Sequence, residues 1–535
     1  MASIHPSTAT ADRSWMKEVD IMPHLPSQPL PCIVTIVLVG LLAYYTWNVR
    51  LRKLPPILNA PGWFDMGDSL AKLAFQNRAA HLLEMATEQF GDQPVRITTD
   101  TGNIMILPPN HLAREIRNNK NLSRSEGTRE DFHGELPGFE VFNPRQTAFM
   151  VLRVTENHLK KNLQKVTGPV SSEASFALKD LLGDSKAEWK EVSLTQTTQR
   201  YISRLSARIF LGEELCRNKD WPEVTSQYIT RIMIAVKRLR IYPRFMRSIV
   251  HWFHPDCRAA RTLLNKARAI IEEDIKRRRT EKMAAEKEGR PIPAPNDAVE
   301  WAEEESKNET YDPAVYQIAL ALASIHTTTD LLSKTLRNLI PRPELIDALR
   351  KEAIEVLQSR GMTKMALAKL KLMDSVFKET QRLAPLRMTT MHRLAVADVT
   401  LSDGTVIRKG TRCAVRSSKR MDPTIYGNPT EFDGSRFLRM REVPGKETQA
   451  SLVTTSVESL GFGYGAHVCP GRFFAAHELK IALIHLLLKY DFKFPPNYQP
   501  KIIEDGFDLK MDPKASILVR RREAELDVDS LSMNE

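Results

Sequence analysis

A very long helical signal opens at Asp312-Pro313, an N-capping acid followed by proline at the first helical position, and runs mostly apolar to Ile340 before Pro341 stops it. This spacing predicts one helix on the order of 40 Å long. A second helical pattern, FFAAHELKIALIHLLLKYDF, follows the glycine-rich stretch Phe462–Gly471. KLMDSVFKETQRLAP places Glu379 and Arg382 on one helical face at i,i+3, and RVTENHLKKNLQKVTGP reads as a basic helix. Alternation takes over in MHRLAVADVTLSDGTVIRKG, where Asp403-Gly404 marks a hairpin turn.

One segment is apolar all round. Leu30 to Trp47 (LPCIVTIVLVGLLAYYTW) carries no charge and would extend about 27 Å as a helix, close to the thickness of a thin bilayer core. Mostly polar residues precede it, no small-residue cleavage site follows it, and Arg50, Arg52 and Lys53 stand directly behind. These features predict a retained signal anchor with everything after Arg50 in the cytosol. The sequons at Asn121 and Asn308 would then face the cytosol unglycosylated.

The 535 residues, 42% of them hydrophobic, can bury a large core, and no repeat or low-complexity tract divides them. The formal net charge of +12 is spread along the chain without a recognised nucleic-acid module. It therefore suits a membrane surface or an acidic protein partner and predicts no nucleic-acid partner. Cys32, Cys216, Cys257, Cys413 and Cys469 are odd in number and far apart, which excludes a disulfide framework and points to a reducing compartment. The run KRRRTEKMAAEKEGR and the acidic EWAEEESK after it read as solvated surface, and AELDVDSLSMNE as a disordered polar tail.

Cys469 stands where the glycine-rich loop enters a helix. There, free N–H groups and the helix dipole favour a thiolate, while Gly465 and Gly471 let the backbone lie close to a flat ligand. Phe462-Gly463-Tyr464-Gly465-Ala466-His467-Val468-Cys469-Pro470-Gly471 matches F-x-x-G-x-x-x-C-x-G at every fixed position. It resembles the haem-binding loop of the cytochromes P-450. That resemblance extends upstream in the family's order. Glu379 and Arg382 look like its E-x-x-R pair, and Arg436 in FDGSRF looks like the third member of the buried triad. Arg393 would approach a haem propionate. Ala323-Ser324-Ile325-His326-Thr327-Thr328 is similar to A-G-x-D/E-T-T, so Ala323 would leave room over the cofactor and Thr327 would relay protons to bound oxygen. The chain departs from the pattern at Ser324, at His326, which stands where an acid is usual, and at His467, which stands where arginine often binds a propionate. The usual W-x-x-x-R is missing, leaving Arg153, His158 and Lys161 as substitutes.

The resemblance implies a mainly α fold with small β-sheets (α+β), a cytochrome P-450 catalytic domain over residues 63–521. Residues 1–29 would be a lumenal segment, 30–47 a single transmembrane anchor, 48–62 a basic, proline-rich hinge and 522–535 the tail. It implies haem b with Cys469 as axial thiolate, and electrons from NADPH through a cytochrome P-450 reductase, with cytochrome b5 as a further donor. The partners are membrane lipid and a hydrophobic substrate, and the location is the endoplasmic reticulum membrane. NNKNLSRSEGTREDFHGELPGFEVF and SIHTTTD are similar to the fungal branch with ent-kaurene oxidases and indole-diterpene oxygenases. This points to a terpenoid or meroterpenoid in secondary metabolism, the alternative being an oxygenase that acts on a polyketide, alkaloid or fatty acid. A haem-thiolate isomerase or dehydratase independent of NADPH, and a silent haem- or lipid-binding protein, are the rival readings.

Overall fold

The computed structural model describes residues 33–42, 54–62, 65, 68–306 and 309–532. Its contacts separate Met1–Leu54 from Pro55–Glu535. In the first unit residues 33–42 are helical with their apolar side chains exposed. The expected anchor 30–47 and its basic flank otherwise lie outside the described residues, as does Asn308. No helix among the described residues is long and apolar enough to cross a membrane.

The second unit is mainly helical. Its longer helices are α1 (Ser69–Glu88), α2 (His111–Ile116), α3 (Arg124–Asp131), α4 (Pro144–Val154), α5 (Leu163–Leu182), α6 (Leu194–Phe210), α7 (Asp220–Leu239), α8 (Arg244–Phe253), α9 (Pro255–Lys287), α10 (Ala298–Ser306), α11 (Pro313–Leu339), α12 (Pro343–Arg360), α13 (Lys371–Leu383) and α14 (Arg472–Lys489). The strands form small sheets. β1 (Val95–Thr99), β2 (Gly102–Leu107), β3 (Leu122–Ser123), β5 (Thr389–Ala395) and β8 (Arg412–Arg416) order as β1-β2-β8-β5-β3. β4 (Lys190–Ser193) joins β12 (Ser516–Arg521) and β9 (Tyr490–Lys493), while β6 (Val399–Thr400) with β7 (Val406–Ile407) and β10 (Ile502–Asp505) with β11 (Asp508–Met511) are hairpins. Gly404 takes φ +83° in the β6–β7 turn, where the Asp-Gly pair predicted one.

α11 is the long helix that the pattern predicted. The Asp312 side chain accepts the Val315 N–H at 3.0 Å, Pro313 fills the first turn, and the helix packs against α6, α9, α13 and α14. α14 is buried almost throughout, and its polar residues meet partners from neighbouring helices. His477 Nε2 lies 2.8 Å from Thr167 Oγ1, His485 Nε2 lies 2.8 Å from Ser171 Oγ, and Ser206 donates to Glu478 at 2.7 Å.

Two expectations from composition fail. The KRRR run is not simply solvated. Arg278 is buried between Asp274 at 2.7 Å and Asp297 at 2.9 Å, and Arg279 meets Glu303 at 2.6 Å. Opposite charges on α9 and the segment opening α10 face one another, a pairing that one-dimensional charge patterning cannot register. Residues 522–532 are not free either. Val528 is wholly buried, Asp529 pairs with Lys489 at 2.7 Å, and Ser532 accepts the Met362 N–H at 2.9 Å.

Candidate active site

The Cys469 loop is closed by local hydrogen bonds. The Cys469 N–H donates to the Phe462 carbonyl at 2.8 Å, Gly465–His467 form a short 3-10 turn, and α14 begins at Arg472. Gly465 takes φ +78°, and a Cβ there would sit 2.6 Å from Arg117 Cβ, so only glycine fits. The backbone N–H groups of Gly471 and Arg472 both stabilise the Cys469 sulfur, and Arg124 and Arg472 add positive charge nearby. Burial pushes this thiol up, and these groups oppose it. Burial alone dominates elsewhere, holding Cys216 and Cys257 at about 11 and Cys413 at about 12. Cys32 lies outside the described residues.

Beside the loop lies a concentration of positive charge, Arg124 and Arg393, that meets no carboxylate among the described residues. Arg393 on β5 is buried, donates from Nη1 to its neighbour His392 O at 2.8 Å, and leaves Nε without a partner. Burial and then Arg124 lower its pKa to about 10. Arg124, at the start of α3, donates to His467 O at 3.4 Å, and burial followed by Arg393 and Arg124 lowers the His467 pKa. A buried guanidinium with an orphaned N–H calls for a carboxylate or phosphate. Arg124 was missed by sequence reasoning because it follows no motif; its position becomes visible only when β3 pairs with β5.

Glu379, Arg382 and Arg436 converge behind the loop. Arg382 gives two parallel bonds to wholly buried Glu379, each 2.8 Å, and Arg436 Nε donates to the same carboxylate at 3.0 Å. Arg382 also holds the carbonyls of Arg420 and Pro429 at 2.7 Å each, so the triad ties α13 to the segment leading toward the loop.

α11 is buried on both sides of a short open patch. Gln317, Ile318, Leu320 and Ala321 precede it and Thr328 onward follow it, whereas Ala323, His326 and Thr327 are exposed. Such exposure in the middle of a core helix leaves these side chains unpacked by protein. The Thr327 hydroxyl donates to the Ala323 carbonyl at 2.9 Å, and Ser324 Oγ has no partner. Surrounding protein lowers the His326 pKa by desolvation although the ring has accessible surface. Of the substitutes for W-x-x-x-R, Arg153 covers the Phe149 ring and reaches Glu305 O, and His158 pairs with Glu305 at 2.9 Å against Trp301. Both are committed to α10, and Lys161 is exposed.

The cytochrome P-450 family model matches residues 143–519. The chain belongs to the cytochrome P-450 family. It is 42% identical over 480 residues to cytochrome P-450 monooxygenase eqxH of Fusarium heterosporum, covering 89% of this chain and 92% of that one. It is 40% identical over 501 residues to cytochrome P-450 monooxygenase hepE of Aspergillus oryzae, with 92% and 90% covered. The haem domain of cytochrome P-450DA superposes with a TM-score of 0.65 at 18% identity, over 88% of this chain and 98% of that one, and shares the fold. This cytochrome P-450 is a haem-thiolate monooxygenase, and the residues present fit the group. One cysteine at a helix N-terminus, an orphaned buried arginine beside it and an open patch on a core helix are what an anionic, flat, sulfur-ligated cofactor requires.

Proposed function

We propose that Cys469 is the axial ligand, and that this cytochrome P-450 hydroxylates or further oxidises a terpenoid or meroterpenoid in fungal secondary metabolism. The observation that carries the assignment is the glycine-bearing loop that presents Cys469, closed by the Cys469 N–H on the Phe462 carbonyl at 2.8 Å and running into α14 at Arg472, beside buried Arg393 with its unpartnered Nε. The helix start favours a thiolate there, and that sulfur would hold the iron. Haem bound there supplies the activation of dioxygen. Phe462 packs against the core beneath the loop, and Gly465 and Gly471 keep the backbone low. Arg393 and Arg124 neutralise the cofactor's carboxylates, and His467, neutral by its lowered pKa, donates a hydrogen bond to them.

On the oxygen side, Ala323 leaves room, and Thr327 turns its hydroxyl from the Ala323 carbonyl to hand a proton into the open patch. His326, kept neutral near pH 7 by its lowered pKa, accepts and passes a proton without placing a fixed charge beside an apolar substrate. The balance is RH + O2 + two electrons + two protons giving ROH + H2O. Electrons come from NADPH through cytochrome P-450 reductase, with cytochrome b5 as a second donor, and the net charge of +12 suits an acidic docking face.

The enzyme works at the endoplasmic reticulum membrane with its catalytic domain cytosolic. Support comes from the apolar Leu30–Trp47 sequence and from α8. Phe245, Ile249 and Phe253 repeat at i,i+4,i+8 and are 77%, 63% and 76% exposed, with Trp252 beside them and Arg244 and Arg258 exposed around them. An apolar, aromatic helical stripe with an arginine rim is the chemistry of a helix lying in an anionic lipid surface.

Turnover tests the reaction class. With full-length enzyme, reductase and candidate terpenoids, product should require NADPH and take one oxygen atom from labelled dioxygen. Equal product formation without NADPH would establish the isomerase reading instead.

A further inference from the structure

The Cys469 loop does not stand alone; the segment between α2 and α3 grips it. Asn118 Oδ1 accepts the Ala466 N–H at 2.9 Å, and Arg117 Nη1 donates to Tyr464 Oη at 2.6 Å with its guanidinium 5.2 Å from the ring centroid. Gly465, between those two contacts, lies so close that an added Cβ would be 2.8 Å from the Arg117 carbonyl and 2.9 Å from Asn118 Oδ1. A few residues on, the same segment joins the sheet. Leu122 and Ser123 pair with Ala395 and Leu394 of β5, and Asn121 accepts the Val396 N–H at 2.8 Å. One short stretch therefore spans from the loop carrying Cys469 to the strand carrying Arg393.

We propose that Arg117 and Asn118 are positioning residues that fix the Cys469 loop against β5, and so set the thiolate's place relative to the guanidinium that receives the cofactor's carboxylate. The inference rests on the reading of Cys469 as the haem ligand. Arg117 bonds Tyr464 and Asn118 bonds Ala466, and they act through those two loop residues. Without the Asn118 oxygen, the Ala466 N–H loses its partner and the 3-10 turn Gly465–His467 is free to shift.

The test uses full-length, haem-loaded protein and Asn118→Ala, Asn118→Asp and Tyr464→Phe. Wild-type enzyme must first give the red-shifted Soret band of a reduced, carbon-monoxide-bound thiolate haem; if it does not, the assignment of Cys469 fails rather than this inference. In Asn118→Ala the amide of Ala466 should exchange with deuterium about fivefold faster, as expected for one net hydrogen bond of about 1 kcal/mol. Conversion of the thiolate-type band to the form lacking thiolate ligation should accelerate by a similar factor while the far-UV melting temperature stays within about 2 °C. Asn118→Asp keeps the acceptor and should restore both rates. If Asn118→Ala does not accumulate as holoprotein, Tyr464→Phe, which deletes only an oxygen, must show the faster conversion. Wild-type rates in both variants, or acceleration that only tracks a falling melting temperature and is not rescued by aspartate, would overturn the proposal.

Discussion

Arg436 contributes one of three guanidinium bonds to a carboxylate with no exposed surface, and its removal leaves Glu379 short of a counter-charge. Arg436→Ala should destabilise the protein by about 3–5 kcal/mol or abolish haem loading, measured by denaturant unfolding of whatever holoprotein accumulates; a wild-type midpoint would contradict the buried triad. Glu478 has the opposite problem. Buried on α14 with Ser206 on one oxygen and no partner on the other, its pKa is pushed by burial from 4.5 to about 8. The folded chain thus keeps a proton that the unfolded chain has already released. Its stability contribution is complete below the unfolded value and is lost as pH rises toward 8. Glu478→Gln should be increasingly stabilised relative to wild type across that window, by up to about 1.4 kcal/mol per pH unit; parallel pH profiles would exclude a protonated Glu478. At this scale the Glu379–Arg382 pair was legible because the two residues sit three positions apart on one helix, and the shape of the loop around Cys469 because its glycines fall within one short stretch of sequence. Arg117, Asn118 and Arg124 were not, because their partners lie more than three hundred positions away.

Elements with both a cap and a period were readable. α11 begins at its predicted acid-proline start, and the β6–β7 turn falls on Asp403-Gly404. What failed was composition standing in for contact. The C-terminal segment is polar in sequence yet buries Val528, and Asp529 supplies Lys489, whose side chain is almost fully buried, with its carboxylate and shares Ser175 with it. Ending the chain after Asp527 should lower stability by about 2–4 kcal/mol through lost burial and a stranded ammonium. An unchanged unfolding midpoint would show that the tail adds nothing. The five-stranded sheet was equally hidden, since β2 pairs with β8 across some three hundred residues and no local pattern encodes that register.

For the whole molecule, the proposed membrane attachment makes a measurable claim about α8. In full-length protein reconstituted into vesicles containing anionic lipid, brominated acyl chains should quench the fluorescence component removed by Trp252→Phe. Phe245→Glu with Phe253→Glu should abolish that quenching. Equal quenching in the charged variant would remove α8 from the interface. The central claim, that Cys469 holds haem iron as a thiolate, is tested most directly by the carbon-monoxide spectrum of the reduced holoprotein. A red-shifted Soret band should be present in wild type, unchanged in Cys216→Ala, Cys257→Ala and Cys413→Ala, and lost in Cys469→Ala. Haem-loaded wild type without the band, or Cys469→Ala that retains it, would contradict the account.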